Sequence, residues 1–193
     1  RGTVSAKSGL PQRGSLLGDV PPSSFAWSGP DLPPRGALVR LTCLRASRGS
    51  GRTVSGSVLV TGCASGIGLD VADALALRGH RVMATDVDLE RLESVRAERR
   101  WSKERLTCCR LDVTDPSAWE ATVERCESEL GPIETLINVA GFLHPGRTHT
   151  LDVDLVRRQL RVNVEGVIFG TRYATAKMVR RRRGHIINVA SLA

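Results

Sequence analysis

At 193 residues, with 41% hydrophobic and 25% charged residues, the chain is long enough for one domain with its own core and has an ordinary globular composition. It holds no run of about 18 apolar residues, which excludes a membrane-spanning helix by sequence, and only 4% aromatic residues, so the core must be aliphatic. The net charge of +8 divides unevenly: residues 1–53 carry eight Lys or Arg against two Asp or Glu, whereas residues 54–193 carry 20 against 18, so the folded part is near neutral and neither nucleic acid nor a membrane is an expected partner.

Residues 1–53 hold six of the nine prolines, many Gly, Ser and Arg, and no sustained period beyond a short apolar run over 37–44. Such a segment cannot bury enough apolar surface to offset its ordering entropy, so a disordered tail is expected. Its Arg- and Ser-rich, acid-poor composition is that of an organelle import peptide, while its prolines oppose the helix such a peptide needs; an extended or incomplete N-terminus is an equal reading. The five cysteines, Cys43, Cys63, Cys108, Cys109 and Cys126, form no CxxC and read as free thiols in a reducing, cytoplasmic setting. The histidines, including His144 and His149, show no metal-ligand spacing, and no metal is expected.

From Val54 onward, strand-like and helix-like segments alternate. Val58-Leu59-Val60 forms a strand ending in a glycine loop. Ile67, Val71, Ala74 and Leu75 then make a helical stripe that Gly79 stops. A strand over 81–86 and a charged helix over 89–100 follow, then a strand over 106–113. Asp115-Pro116 supplies an N-cap with proline at the first helical position, and Trp119, Val123, Cys126 and Leu130 carry that helix to Gly131-Pro132. A strand over 135–139, one long helix over 152–182 and a strand over 185–190 complete the series. Five strands alternating with four helices predict an α/β fold: a doubly wound parallel sheet of Rossmann type over 54–193.

The loop Thr61-Gly62-Cys63-Ala64-Ser65-Gly66-Ile67-Gly68 sits where a strand becomes a helix. A pyrophosphate needs exposed backbone N–H groups at a helix N-terminus. Gly62 permits the sharp turn, Gly66 clears the approach of the phosphates, and Gly68 lets helix and strand pack closely. Asp86 ends the second strand, where a carboxylate accepts hydrogen bonds from the adenosine ribose hydroxyls and repels a 2′-phosphate. With Val87 next and Ser65 before Gly66, nothing basic awaits that phosphate, so NAD is expected over NADP. Asp86 as a mere helix cap is the other reading.

These residues resemble the short-chain dehydrogenase/reductase family, whose cofactor loop follows Thr-Gly-x-x-x-Gly-Ile-Gly, and the resemblance covers about 56–193. It implies an NAD(P)-dependent oxidoreductase that moves hydride between nicotinamide and a small-molecule alcohol or ketone, as a homo-oligomer when full length. By that resemblance Ser65 and Ile67 join the cofactor loop, Asp112-Val113 forms an adenine-contacting pair, and Asn138, Ala140 and Gly141 match the Asn-Asn-Ala-Gly motif, with Val139 in place of its second Asn.

Asn163 falls on a stripe with Val156, Leu160 and Val167, where a buried amide needs partners or costs about 1–3 kcal/mol. An internal hydrogen bond that kinks the helix is one reading; the resemblance adds that of the asparagine holding a water in a proton relay. Ser191 follows the fifth strand, on the side where open parallel sheets keep their active sites. It reads equally as a loop serine or, by resemblance, as the hydroxyl that polarises a substrate carbonyl. The family's Tyr-x-x-x-Lys pair and the last two strands of its seven-stranded sheet are expected beyond Ala193, making the chain an incomplete, C-terminally truncated domain; a non-catalytic nucleotide-binding product is the alternative. Tyr173 and Lys177 match the Tyr-x-x-x-Lys spacing but lie on the helix before the fifth strand, so the match reads as coincidence. The arginines at 180–183 read as a solvated helix end.

Overall fold

The computed structural model of the chain describes residues 56–191. The expectations for 1–53, Cys43 among them, and for the residues after Ser191 lie outside the described residues. Strands β1 (Ser57–Thr61), β2 (Arg81–Asp86), β3 (Leu106–Arg110), β4 (Ile133–Asn138) and β5 (His185–Asn188) form one sheet in the order β3-β2-β1-β4-β5, every neighbouring pair parallel. Parallel strands need crossovers, and the helical segments supply them. Helices α1 (Gly66–Leu77) and α2 (Leu89–Glu98) pack Leu69, Ala72, Leu75, Leu92 and Val95 against Val58, Val60, Val82 and Ala84. On the other face α3 (Pro116–Leu130) and α5 (Gly166–Arg181) pack Trp119, Val123, Cys126, Ala174 and Met178 against Leu59, Met83 and Leu136. Covered on both faces, β1 is buried at all five positions, which explains its unbroken apolar reading.

The elements stand where the periodicity placed them, with instructive differences at their ends. β3 stops at Arg110 rather than at 113. Leu111 N still bonds Asp86 O, but the Asp112 carboxylate then accepts from Thr114 N and its hydroxyl, and this turn takes the chain out of the sheet. β4 begins two residues early, at Ile133, because a register shift between Ser57 and Val58 lets Ile133 pair with Ser57. β5 ends at Asn188 instead of 190.

The single long helix is three segments: α4 (Val153–Leu160), a π-helical stretch Arg161–Glu165, and α5. Gly166 N bonds Arg161 O across five residues. Val156, Leu160 and Asn163 are all exposed, the first two ahead of the π turn, so the stripe read from them lies on an uncovered face rather than in the core. What α5 does bury is set by two glycines one turn apart. A Cβ at Gly166 would lie 2.9 Å from the Val113 side chain, and one at Gly170 2.6 Å from the Trp119 ring and 2.7 Å from Asn138 Oδ1.

The arginines at 180–183 are only partly a solvated end. Arg181 donates to Glu127 Oε1 (2.6 Å) and to Ile133 O, and Arg183 pairs with Glu134 (3.0 Å), tying the end of α5 to α3 and β4. Arg182 adopts the left-handed conformation that closes α5 (φ 52, ψ 32), a position glycine favours. The cysteines described, Cys63, Cys108, Cys109 and Cys126, are free and buried. No helix among the described residues is long and apolar enough to cross a membrane, and no His, Cys, Asp or Glu group among them could hold a metal ion.

Two substitutions test this packing by urea unfolding. Gly170→Ala is expected to lose about 1–3 kcal/mol through overpacking against Trp119, and Arg182→Gly to gain up to about 1 kcal/mol by relieving the left-handed residue.

Candidate functional site

The site lies beyond the carboxyl ends of β1 and β4, where successive connections leave for opposite faces of the sheet. Its first wall is the loop from β1 into α1. Gly62 turns with φ +73, against the backbone of Ala140, which a Cβ would meet at 2.8 Å. Gly68 lies so close to the Gly62 carbonyl that a Cβ would overlap it, at 2.0 Å. Gly66, at φ +54, has nothing within 4 Å of its ideal Cβ, and Ser65, Gly66 and Ile67 are exposed. The strained turn, the open approach and the tight helix contact fall on the three glycines in the order the spacing predicts.

The N-terminus of α1 differs from those of α2, α3 and α4. Asp88, Asp115 and Asp152 cap those three with side-chain hydrogen bonds; Ser65 makes no such bond, and the first turn of α1 carries no acidic residue. The leading N–H groups of α1 therefore keep their capacity for an anion.

Asp86 sits at the edge of this loop. Its Oδ2 accepts from Ala64 N (2.9 Å) and its Oδ1 from Asp88 N (3.1 Å), so the carboxylate is aimed by the loop itself. The cap of α2 is Asp88, which accepts from Arg91 N at 2.9 Å. The expectation that nothing basic stands here needs correction. Arg110 is registered beside Asp86 across the β2–β3 pair, and its Nε donates to Val87 O at 3.3 Å. Strand pairing brings it there from far along the chain, which inspection of the residues next to Asp86 could not show.

The second wall is the end of β4. Thr61 Oγ1 accepts from both Val139 N and Ala140 N, each at 3.0 Å. The Val139 side chain, where the family motif has an amide, packs against the core instead. Asn138 is 3% exposed; its Nδ2 donates to Asn188 Oδ1 (2.8 Å) and its carbonyl accepts from Val189 N, so it joins β4 to β5. Asp112 shapes the loop after β3, and Val113 is buried, its carbonyl accepting from Trp119 Nε1 at 3.0 Å. Arg161 Nη2 reaches Thr114 Oγ1 (3.4 Å), closing this loop against the π-helical stretch.

Both polar atoms of the Asn163 side chain are engaged. Oδ1 accepts from Phe142 N and Nδ2 donates to Phe142 O, both at 2.8 Å, clamping the chain just after Gly141. The hydrogen-bonding reading of this amide is realised, with the helix deformed at the same residue. Ser191 is exposed beyond β5, on the same side of the sheet as the glycine loop. Tyr173 instead packs against the core cluster under α3 and α5, and Lys177 lies 4.0 Å from Glu124. Because α5 runs back toward the start of β5, this pair points away from the strand ends that carry the site.

Sequence reading missed Thr61, Arg110, Gly166, Gly170 and Asn188. The Gly-x-x-x-Gly spacing of 166 and 170 was a visible sign of a close helix contact; Thr61 adjoins the glycine motif, but its bonds are long-range.

A family model described as short chain dehydrogenase matches residues 56–193. The chain is 37% identical over 134 residues to the 2,3-dihydro-2,3-dihydroxybenzoate dehydrogenase of Bacillus subtilis, an alignment covering 69% of this chain and 51% of that protein. Among solved structures it resembles LigO in its apo form from Sphingobium sp. strain SYK-6, with TM-score 0.68, 31% identity, and 72% and 52% of the two chains covered. It also resembles an actinorhodin polyketide ketoreductase variant with NADPH, with TM-score 0.67, 32% identity, and 71% and 53% covered. The chain spans about half the length of the curated relatives it matches.

Thr61→Val removes the acceptor of two N–H groups at the β1–β4 seam. The expected cost is about 1–3 kcal/mol in urea unfolding, with faster hydrogen exchange at Val139 and Ala140.

Proposed function

The chain belongs to the short-chain dehydrogenase family, and on that premise we propose that it binds NAD across the β1–β4 crevice and serves hydride transfer between nicotinamide and a small-molecule secondary alcohol or ketone. One observation carries the reading: the N-terminus of α1 has neither a side-chain cap nor an acidic residue, and it opens onto Gly66, whose ideal Cβ has free space around it, while Asp86 is held beside it by Ala64 N. That combination suits a pyrophosphate joined to a ribose.

In this reading the backbone of Gly62, Ser65, Gly66, Ile67 and Gly68 receives the pyrophosphate. Asp86 accepts the adenosine ribose hydroxyls, which favours NAD over NADP. Asp112 and Val113 border the adenine side, and Asn138, Ala140 and Gly141 form the β4 wall of the cofactor crevice, where Asn138 fixes β4 to β5. When bound, the nicotinamide gives or takes the hydride. Ser191 hydrogen-bonds the substrate oxygen and polarises it. Asn163 holds the loop after β4 through Phe142, and its exposed amide keeps one acceptor and one donor site for the relay water that the resemblance assigns to it.

Tyr173, the sole tyrosine of the chain, is half-buried and packs against the core cluster of α3 and α5. Standing there rather than in the crevice, it favours nucleotide binding without turnover as the reading for the 193-residue chain studied alone. The exposed row Val153, Val156, Leu160, Val164 and Ile168 supports a homo-oligomer in the whole enzyme, with a second copy covering that face.

NADH titration of the purified chain, followed by quenching of tryptophan emission, tests the reading. Saturable binding is expected. Asp86→Ala should weaken it about tenfold or more, the loss of a hydrogen bond to a charged group, while Tyr173→Phe should leave it unchanged. A wild-type chain that does not bind NADH, or a Tyr173→Phe variant that abolishes turnover, overturns it.

A further inference from the structure

Among the charged groups near the crevice that the proposed function does not use, Arg110 is well defined by its contacts. Registered partners in a sheet project from the same face, so Arg110 and Asp86 stand side by side at the top of the face that α1 and α2 cover. Its Nε is anchored on Val87 O, the carbonyl of the residue after Asp86. Arg110 is exposed and makes no ion pair, and neither Nη atom makes a hydrogen bond among the described residues. The guanidinium is thus oriented at one corner with its outward edge open, bordering a cleft of about 500 Å³ that Val87, Asp88, Leu89 and Glu90 also line.

Three carboxylates face the same region. Asp86 already accepts two backbone N–H groups, Asp88 is committed to the cap of α2, and Glu90 stands exposed on the first turn of that helix. An anion arriving here meets repulsion from Asp86, and Arg110 is the cation next to it. A guanidinium edge matches a phosphate in two parallel hydrogen bonds.

Resting on the nucleotide reading above, we propose that Arg110 is a specificity-determining residue of the cofactor site, receiving a 2′-phosphate on the adenosine ribose and so narrowing the preference for NAD that Asp86 sets. The chain then binds both dinucleotides, the unphosphorylated one more tightly.

Calorimetric titration of the 193-residue chain with 5′-AMP and with 2′,5′-ADP (adenosine 2′,5′-bisphosphate) tests this, since the two probes differ only in the 2′-phosphate. Wild-type protein is expected to bind both. Arg110→Ala and Arg110→Gln should each weaken 2′,5′-ADP about tenfold, the scale of a charge-assisted hydrogen bond, and leave 5′-AMP within about twofold. Arg110→Gln retains a donor for Val87 O and so separates charge from anchoring, and Arg110→Lys should recover part of the loss. Equal weakening of both probes makes Arg110 an anchor of the β2–α2 turn and overturns the proposal, as does no weakening of either. Binding of 5′-AMP with no detectable 2′,5′-ADP binding in the wild type refutes the role of Arg110 and leaves the nucleotide site standing. Failure of both probes removes the nucleotide site itself.

Discussion

Two backbone amides at the end of β4 converge on one hydroxyl at the end of β1, and the arrangement of the site depends on that convergence. Thr61 Oγ1 accepts from Val139 N and Ala140 N just where both strands stop pairing with each other. The parallel ladder ends here, and two N–H groups would otherwise be stranded at the edge of the core. Because one short side chain receives both, Ala140 is pressed onto Gly62, so that only glycine fits there. Gly62 in turn carries the carbonyl against which Gly68 packs. The loop that opens α1 is therefore positioned from behind, by β4, as much as by its own glycines.

The remaining walls are fastened in a similar way, by polar side chains that engage backbone groups or, at Asn138, another amide side chain. Asp86 holds Ala64, Asn163 holds Phe142, and Asn138 holds β5 through Asn188. Each polar group is tied to an element distant in sequence, so loosening one strand would move the crevice as a unit. The π-helical stretch belongs to this framework. It turns Asn163 toward Phe142 and Arg161 toward Thr114 from neighbouring positions of one helix, joining the loops after β3 and β4.

What the sequence made legible was local. Alternation of strand and helix, the caps at Asp115 and the stops at Gly79 and Gly131 depend on residues a few places apart, and the parallel sheet follows from them. The glycine loop was legible for the same reason, since Gly62, Gly66 and Gly68 share one turn. The departures arise where a contact spans the fold. Nothing near Asp86 announces Arg110, because only the β2–β3 register brings them together. The stripe through Val156, Leu160 and Asn163 reads as buried because apolar spacing does not tell whether a neighbour covers it, and among the described residues that face is open; the π turn is equally invisible in a chain met without its fold. Asn138 matched a motif, yet its amide faces a neighbouring strand, a partnership fixed by sheet order.

The buried thiols have a use as clocks. Cys63 and Cys108 lie in the core between the sheet and α1 and α2, Cys109 and Cys126 in the core beneath α3 and α5. Burial raises the pKa of Cys63 well above the ordinary thiol value and holds Cys108 and Cys126 at about 11, so in the closed state these thiols are both covered and protonated. A reagent that captures thiolates can reach them only during an opening. The rate at which each is captured then counts the openings of its own layer, and unequal rates would reveal that the two halves of the sandwich breathe independently.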